Sequence, residues 1–80
     1  MPSPKSTPSF GDRTYKLIEI VGTSTKGYDD AVRNAVAEAA KTLEGLAWFE
    51  VVEQRGQILD GKVVEFQVTV KLGFRLRSAR

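Results

Sequence analysis

From Val64 to Leu76 every second residue is apolar: Val64, Phe66, Val68, Val70, Leu72, Phe74 and Leu76. Glu65, Gln67, Thr69, Lys71 and Arg75 stand between them. Successive side chains of an extended backbone leave on opposite faces, so this run predicts a strand from Lys62 to Leu76 with one apolar and one polar face. Strands average about five or six residues, and this one is more than twice as long. Asp60-Gly61, just upstream, is a strong two-residue hairpin signal, because both residues tolerate a positive φ. The run from Ala47 through Trp48, Phe49, Val51 and Val52 to Leu59 is then its antiparallel partner.

Further upstream the period changes. Thr14 to Val21 is rich in β-branched and aromatic residues and predicts a first strand, ended by Gly22-Thr23-Ser24. Between Thr25 and Leu43, residues Val32, Ala35, Val36, Ala39 and Leu43 recur at helical spacing. Ser24 is the expected N-cap. Asp29 and Asp30 complement the positive end of the helix dipole, and Gly45 is the expected stop. The predicted class is α+β in the order β-α-β-β, one helix packed on one face of a three-stranded antiparallel sheet. The small Ala and Val side chains of the stripe let the helix sit close. The second, polar face has no covering element in the chain.

A chain of 80 residues buries only about 60% of the surface its unfolded form exposes. Small domains are usually reinforced by disulfides, a structural metal or a partner subunit. With 0 Cys and 0 His, thiolate and imidazole chemistry is excluded, and subunit association remains. All 3 Pro fall within residues 1–12, which predicts a disordered arm ahead of a domain over 13–80. No signal peptide and no membrane span is expected, which predicts a cytoplasmic protein. Net charge is +2 with the signs interspersed, so neither a nucleic-acid nor a membrane partner is called for. Arg75, Arg77 and Arg80 form a basic C-terminal cluster.

Catalysis is poorly supplied. General base work would fall to a carboxylate or lysine, and the carboxylates are scattered singly apart from Asp29-Asp30. No Gly-rich phosphate loop of a known type is present. Trp48 is the single Trp, and alone it reads as a core or interface anchor. If Phe49 packs beneath the helix, Trp48 faces the open side of the sheet. Gln67 shares that side and offers both a donor and an acceptor to the edge of a planar heterocycle. Arg55 is a similar signal, with an ion pair to a sheet neighbour as its default, and the three carry weight only if they converge on one place.

In this setting the chain resembles the dodecins. The matching stretches are Ile18 to Ser24 (IEIVGTS), Trp48 to Val51 (WFEV), Arg55-Gly56, Glu65 to Val68 (EFQV) and Gly73 to Leu76 (GFRL). The resemblance implies a hollow homododecamer, with trimers meeting at two-fold axes and flavins such as FMN stacked there between symmetry-related indoles. It implies Trp48 as the stacking residue, Gln67 as the contact to the ring edge and Arg55 as a pocket-lining residue. Arg75 matches a position associated with coenzyme A. Two residues depart from the family pattern: Ala47 stands where Asp is common, and Arg77 replaces an acidic residue. The expected role is flavin storage and suppression of flavin photochemistry, with no catalytic residues and no metal. A flavin-dependent oxidoreductase and a structural or nucleic-acid-binding shell are the alternatives.

Overall fold

The computed structural model describes residues 12–77. The expected N-terminal arm, apart from Asp12, and Arg80 of the basic cluster lie outside them. The elements are β1 (Tyr15–Ser24), α1 (Tyr28–Ala40), β2 (Leu46–Leu59) and β3 (Lys62–Arg75). They form one antiparallel sheet in the order β1-β3-β2, with α1 on one face, as expected.

The β2–β3 hairpin turns at Asp60 and Gly61, whose φ angles of 52° and 77° match the turn that follows the twist of the strands. Both strands run 14 residues, which at about 3.3 Å per residue makes an arm about 45 Å long. Register shifts interrupt the ladder between Leu46 and Trp48, between Val51 and Glu53, and between Gln57 and Ile58. Each bulge bends the strand.

Helix α1 is shorter than its sequence pattern predicts and begins at Tyr28. Gly27 occupies the N-cap position without a side-chain cap. Ser24 is not the cap, because β1 continues through it and two residues of bend intervene. Its hydroxyl instead closes that bend. It accepts from the backbone N–H of Lys26 at 2.8 Å and of Gly27 at 3.4 Å, and donates to Asp30 Oδ2 at 2.7 Å. The far end also differs. The helix closes at Ala40 with Lys41 still in helical geometry, so Gly45 is not its stop. Gly45 has φ +80° in the loop before β2, where its carbonyl accepts the N–H of Arg75 at 2.9 Å. Its left-handed turn ties the start of β2 to the end of β3.

The core is small. Ala31, Ala35 and Ala39 of α1 pack on Val68, Val70 and Leu72 of β3, with Ile18, Ile20, Val32, Val36, Leu43 and Leu46 around them. Ala31 was not part of the sequence-predicted stripe, yet it is fully buried. The stripe is right in period and one turn short. Only the middle of the alternating β3 run is buried, while Val64 and Leu76 at its ends are exposed.

Phe49 corrects a second expectation. It is on the helix side of the sheet, paired with Leu72, but 52% exposed. The helix packs on β1 and β3, and β2 lies beyond β3 at the far edge. Phe49 therefore helps line an apolar concavity of about 450 Å³ with Tyr28, Val32 and Val51. Asp29 sits on its rim. A hydrogen bond from Arg33 holds its carboxyl below the ordinary carboxylate value, with backbone N–H groups adding to the effect. A depressed pKa contributes stability above the unfolded-state value and loses it as pH falls through the folded one; full exposure keeps that contribution small.

The helix seats on β1 through Gly22. A Cβ there would overlap the Ala31 carbonyl oxygen and stand 2.7 Å from Ala35 Cβ. Gly22→Ala should therefore cost about 1–3 kcal/mol, the range of overpacked cores, and Gly22→Val more. Denaturant unfolding of the assembled protein checks this, and an unchanged midpoint for Gly22→Val would contradict the close approach.

Candidate functional site

Antiparallel partners project to the same face, so the register identifies the residues of the uncovered side. Tyr15 pairs with Arg75, Trp48 with Gly73, and Arg55 with Gln67. Trp48, Arg55, Gln67 and Arg75 thus all lie on the face opposite α1. Phe49, one residue from Trp48, lies on the helix side. The alternation that separated these two aromatics holds even though Phe49 is left uncovered.

These four residues form two groups at opposite ends of the three-stranded part of the sheet, which runs from the pairing of Tyr15 with Arg75 to that of Ser24 with Phe66. At the first end, Trp48 lies over Gly73 and against Tyr15, with ring centroids 4.9 Å apart at a tilt of 51°. A Cβ at Gly73 would run into the indole. Gly73 is buried for that reason, and Trp48 keeps 45% exposure, its plate turned outward. Beyond it, Arg75 borders a concavity of about 740 Å³ with Asp12, Arg13, Thr14, Leu76 and Arg77. Arg77 also bridges to Glu44 at 3.0 Å, so the residue departing from the family pattern is pinned beside this concavity.

At the second end, Arg55 Nε donates to Gln67 Oε1 at 2.8 Å, and Gln67 Nε2 donates to Glu65 Oε1 at 2.9 Å. Arg55 Nη1 also donates to Glu53 Oε1 at 3.5 Å. The default ion pair read for Arg55 exists, then, alongside its bond to Gln67. Gln67 stands six positions along β3 from Gly73, the residue under the indole. At about 3.3 Å per residue that is about 20 Å, too far for one ring system to reach both from a single chain. Ala47 falls at the first register shift of β2, where the strand turns to present Trp48.

Sequence reasoning passed over Gly73, Tyr15 and Glu65. A glycine inside a strand is a usable signal, since it marks a close approach; here the approaching group is the indole. Tyr15 and Glu65 needed the register. Among the described residues, no group of three or more Asp, Glu, His or Cys side chains converges as a metal site would require, and no helix is long and apolar enough to cross a membrane.

Gly73→Ala should push the indole off its seat with little change in fold. The expected signs are a red-shifted Trp48 emission and a weaker hold on any ring that stacks there. Unchanged emission would show that the indole does not rest on this glycine.

Comparison with known proteins places the chain. The family description named Dodecin matches residues 14–77. A dodecin from Thermus thermophilus is 50% identical over 66 residues, covering 82% of this chain and 96% of that protein. The dodecin structure from Streptomyces coelicolor superposes with a TM-score of 0.84 at 54% identity, covering 88% of this chain and all of that one. A more distant relative, the calcium dodecin of Mycobacterium tuberculosis, is 26% identical and superposes with a TM-score of 0.72, covering 84% of this chain and 96% of that one. Its structure is described as that of a calcium-chelating antigen with a novel calcium-binding site. Dodecins are small oligomeric ligand-binding proteins, and this chain belongs to the dodecin family.

Proposed function

We propose that the protein stores FMN or a related flavin in a hollow homododecamer, stacked between Trp48 side chains related by a two-fold axis, and quenches its photochemistry. The observation that carries this reading is Trp48 itself. It is a half-exposed indole seated on Gly73 and against Tyr15, on a face that no other element among the described residues covers. An indole stacked on an excited isoalloxazine donates an electron and takes it back, so excitation decays before reactive products form. No turnover is involved.

The separation of the two groups supports a site shared between copies. A ring on Trp48 of one chain lies about 20 Å along the strand from that chain's own Gln67. In this reading the amide and Arg55 reach the ligand from another copy, and a single chain holds no complete pocket. The small core and the row of exposed apolar residues on the β2–β3 arm, with Ile58 at 69% exposure, favour assembly on the same grounds. Thermus dodecin variants carry single substitutions of a tryptophan and of two arginines. Their sequence intervals equal those between Trp48, Arg55 and Arg75.

Flavin is favoured over calcium here because no three acidic side chains converge among the described residues. It is favoured over flavin-dependent oxidation because a ring stacked on both faces leaves no approach for a substrate. The concavity at Arg13, Arg75 and Arg77 is the proposed place for a phosphate-bearing second ligand such as coenzyme A. Its guanidinium groups are the side chains best suited to phosphate. The proposed setting is cytoplasmic.

Fluorescence titration of the apoprotein with FMN tests the reading, with emission quenched at stoichiometric protein. Trp48→Ala should weaken binding about tenfold, the scale of losing one aromatic stack, and remove the quenching. Unquenched FMN beside wild-type protein, or full quenching by Trp48→Ala, would refute it.

A further inference from the structure

Gln67 is held at both ends of its amide. Arg55 Nε donates to its carbonyl oxygen at 2.8 Å, and its own amide nitrogen donates to Glu65 at 2.9 Å. A guanidinium can only donate and an ionised carboxylate can only accept. Flipping the amide would set N–H against guanidinium and carbonyl against carboxylate, so a single orientation survives. The terminal torsion of a glutamine is otherwise broad, and ordering such a side chain on binding costs affinity.

Each end of the amide keeps spare capacity. One N–H and one carbonyl lone pair are left, in a fixed left-to-right order. That pair is complementary to a planar ring with a lactam edge, a C=O next to an N–H. The ring carbonyl accepts from Gln67 Nε2 while the ring N–H donates to Gln67 Oε1. A ring whose edge lacks the N–H loses half of the pair and leaves the carbonyl facing it unsatisfied.

We propose that Glu65 is a positioning residue which, with Arg55, presets the Gln67 amide to recognise the lactam edge of a planar heterocycle. Glu65 touches no ligand in this scheme; it acts through Gln67. The inference rests on the flavin reading and adds to it the residue that sets the polarity of recognition. An ordinary surface hydrogen bond between neighbours on one strand face would have no influence on which ring is preferred.

The test is titration of the assembled protein with two rings that stack alike: lumiflavin, and lumiflavin methylated at the ring N–H of its pyrimidine edge. Wild type should prefer lumiflavin. Glu65→Ala should weaken lumiflavin binding about fivefold, the worth of one hydrogen bond, and leave the methylated ring unchanged. Glu65→Gln, which keeps an acceptor, should restore most of the preference. If Glu65→Ala does not assemble, Glu65→Met carries the same comparison. Unchanged lumiflavin affinity in these variants, or an equal loss for both rings, overturns the proposal. Failure of the flavin reading looks different: wild-type protein would then bind neither ring.

Discussion

The seating of an alanine stripe on a glycine governs this molecule. Ala31, Ala35 and Ala39 leave α1 without bulk on its inner side, and Gly22 leaves β1 without a Cβ where the helix crosses it. Together they pull the helix down onto β1 and β3. Dispersion contacts fall off over fractions of an ångström, so this approach gives six residues a dry core that larger side chains would hold open. It also commits the helix to one half of the sheet. Because the sheet runs β1-β3-β2, the other half, β2 and the long hairpin arm, receives no cover from another element among the described residues.

The rest of the design follows from that asymmetry. On the helix side, Phe49 and Val51 are left beside a concavity that is apolar yet open. On the opposite side, the whole length of β3 is free to carry polar chemistry. The bulges in β2 bend the arm, and the register sets an indole at one end and an amide–guanidinium pair at the other. In the proposed reading, a planar ligand bound by both lies between copies. Ligand binding would then be linked to assembly, since whatever binds the assembled state stabilises it by mass action.

The amide–guanidinium group of the open face is ordered by short links rather than burial. Gln67 is bonded on both sides, Arg55 is shared between Gln67 and Glu53, and no buried side-chain polar atom among the described residues lacks a partner. An amide with fixed polarity is a specific reader. A freely rotating one satisfies donors and acceptors alike.

Much of this was legible in the amino-acid order because its causes are local. Alternation at period two in β3, the shift to helical period across Val32, Ala35 and Ala39, and Asp60-Gly61 each depend on neighbouring residues only. They determine the four elements, their order, the hairpin and the face that Trp48 and Gln67 share. Arg55, seven residues after Trp48, falls on the other face by alternation, and only the register shift between Val51 and Glu53 brings it across. Other features turned on contacts between distant segments. Ser24 could not be told from a cap without knowing that β1 runs on through it, nor Gly45 from a helix stop without the Arg75 N–H it receives. Phe49 alternates as a core residue does, and only the strand order takes it out of the helix's reach. The 20 Å between Trp48 and Gln67, the clearing of Gly73 for the indole, and Glu65 at the end of the amide likewise arise from register. Periodicity says which way a side chain points; only the tertiary structure decides what stands opposite it.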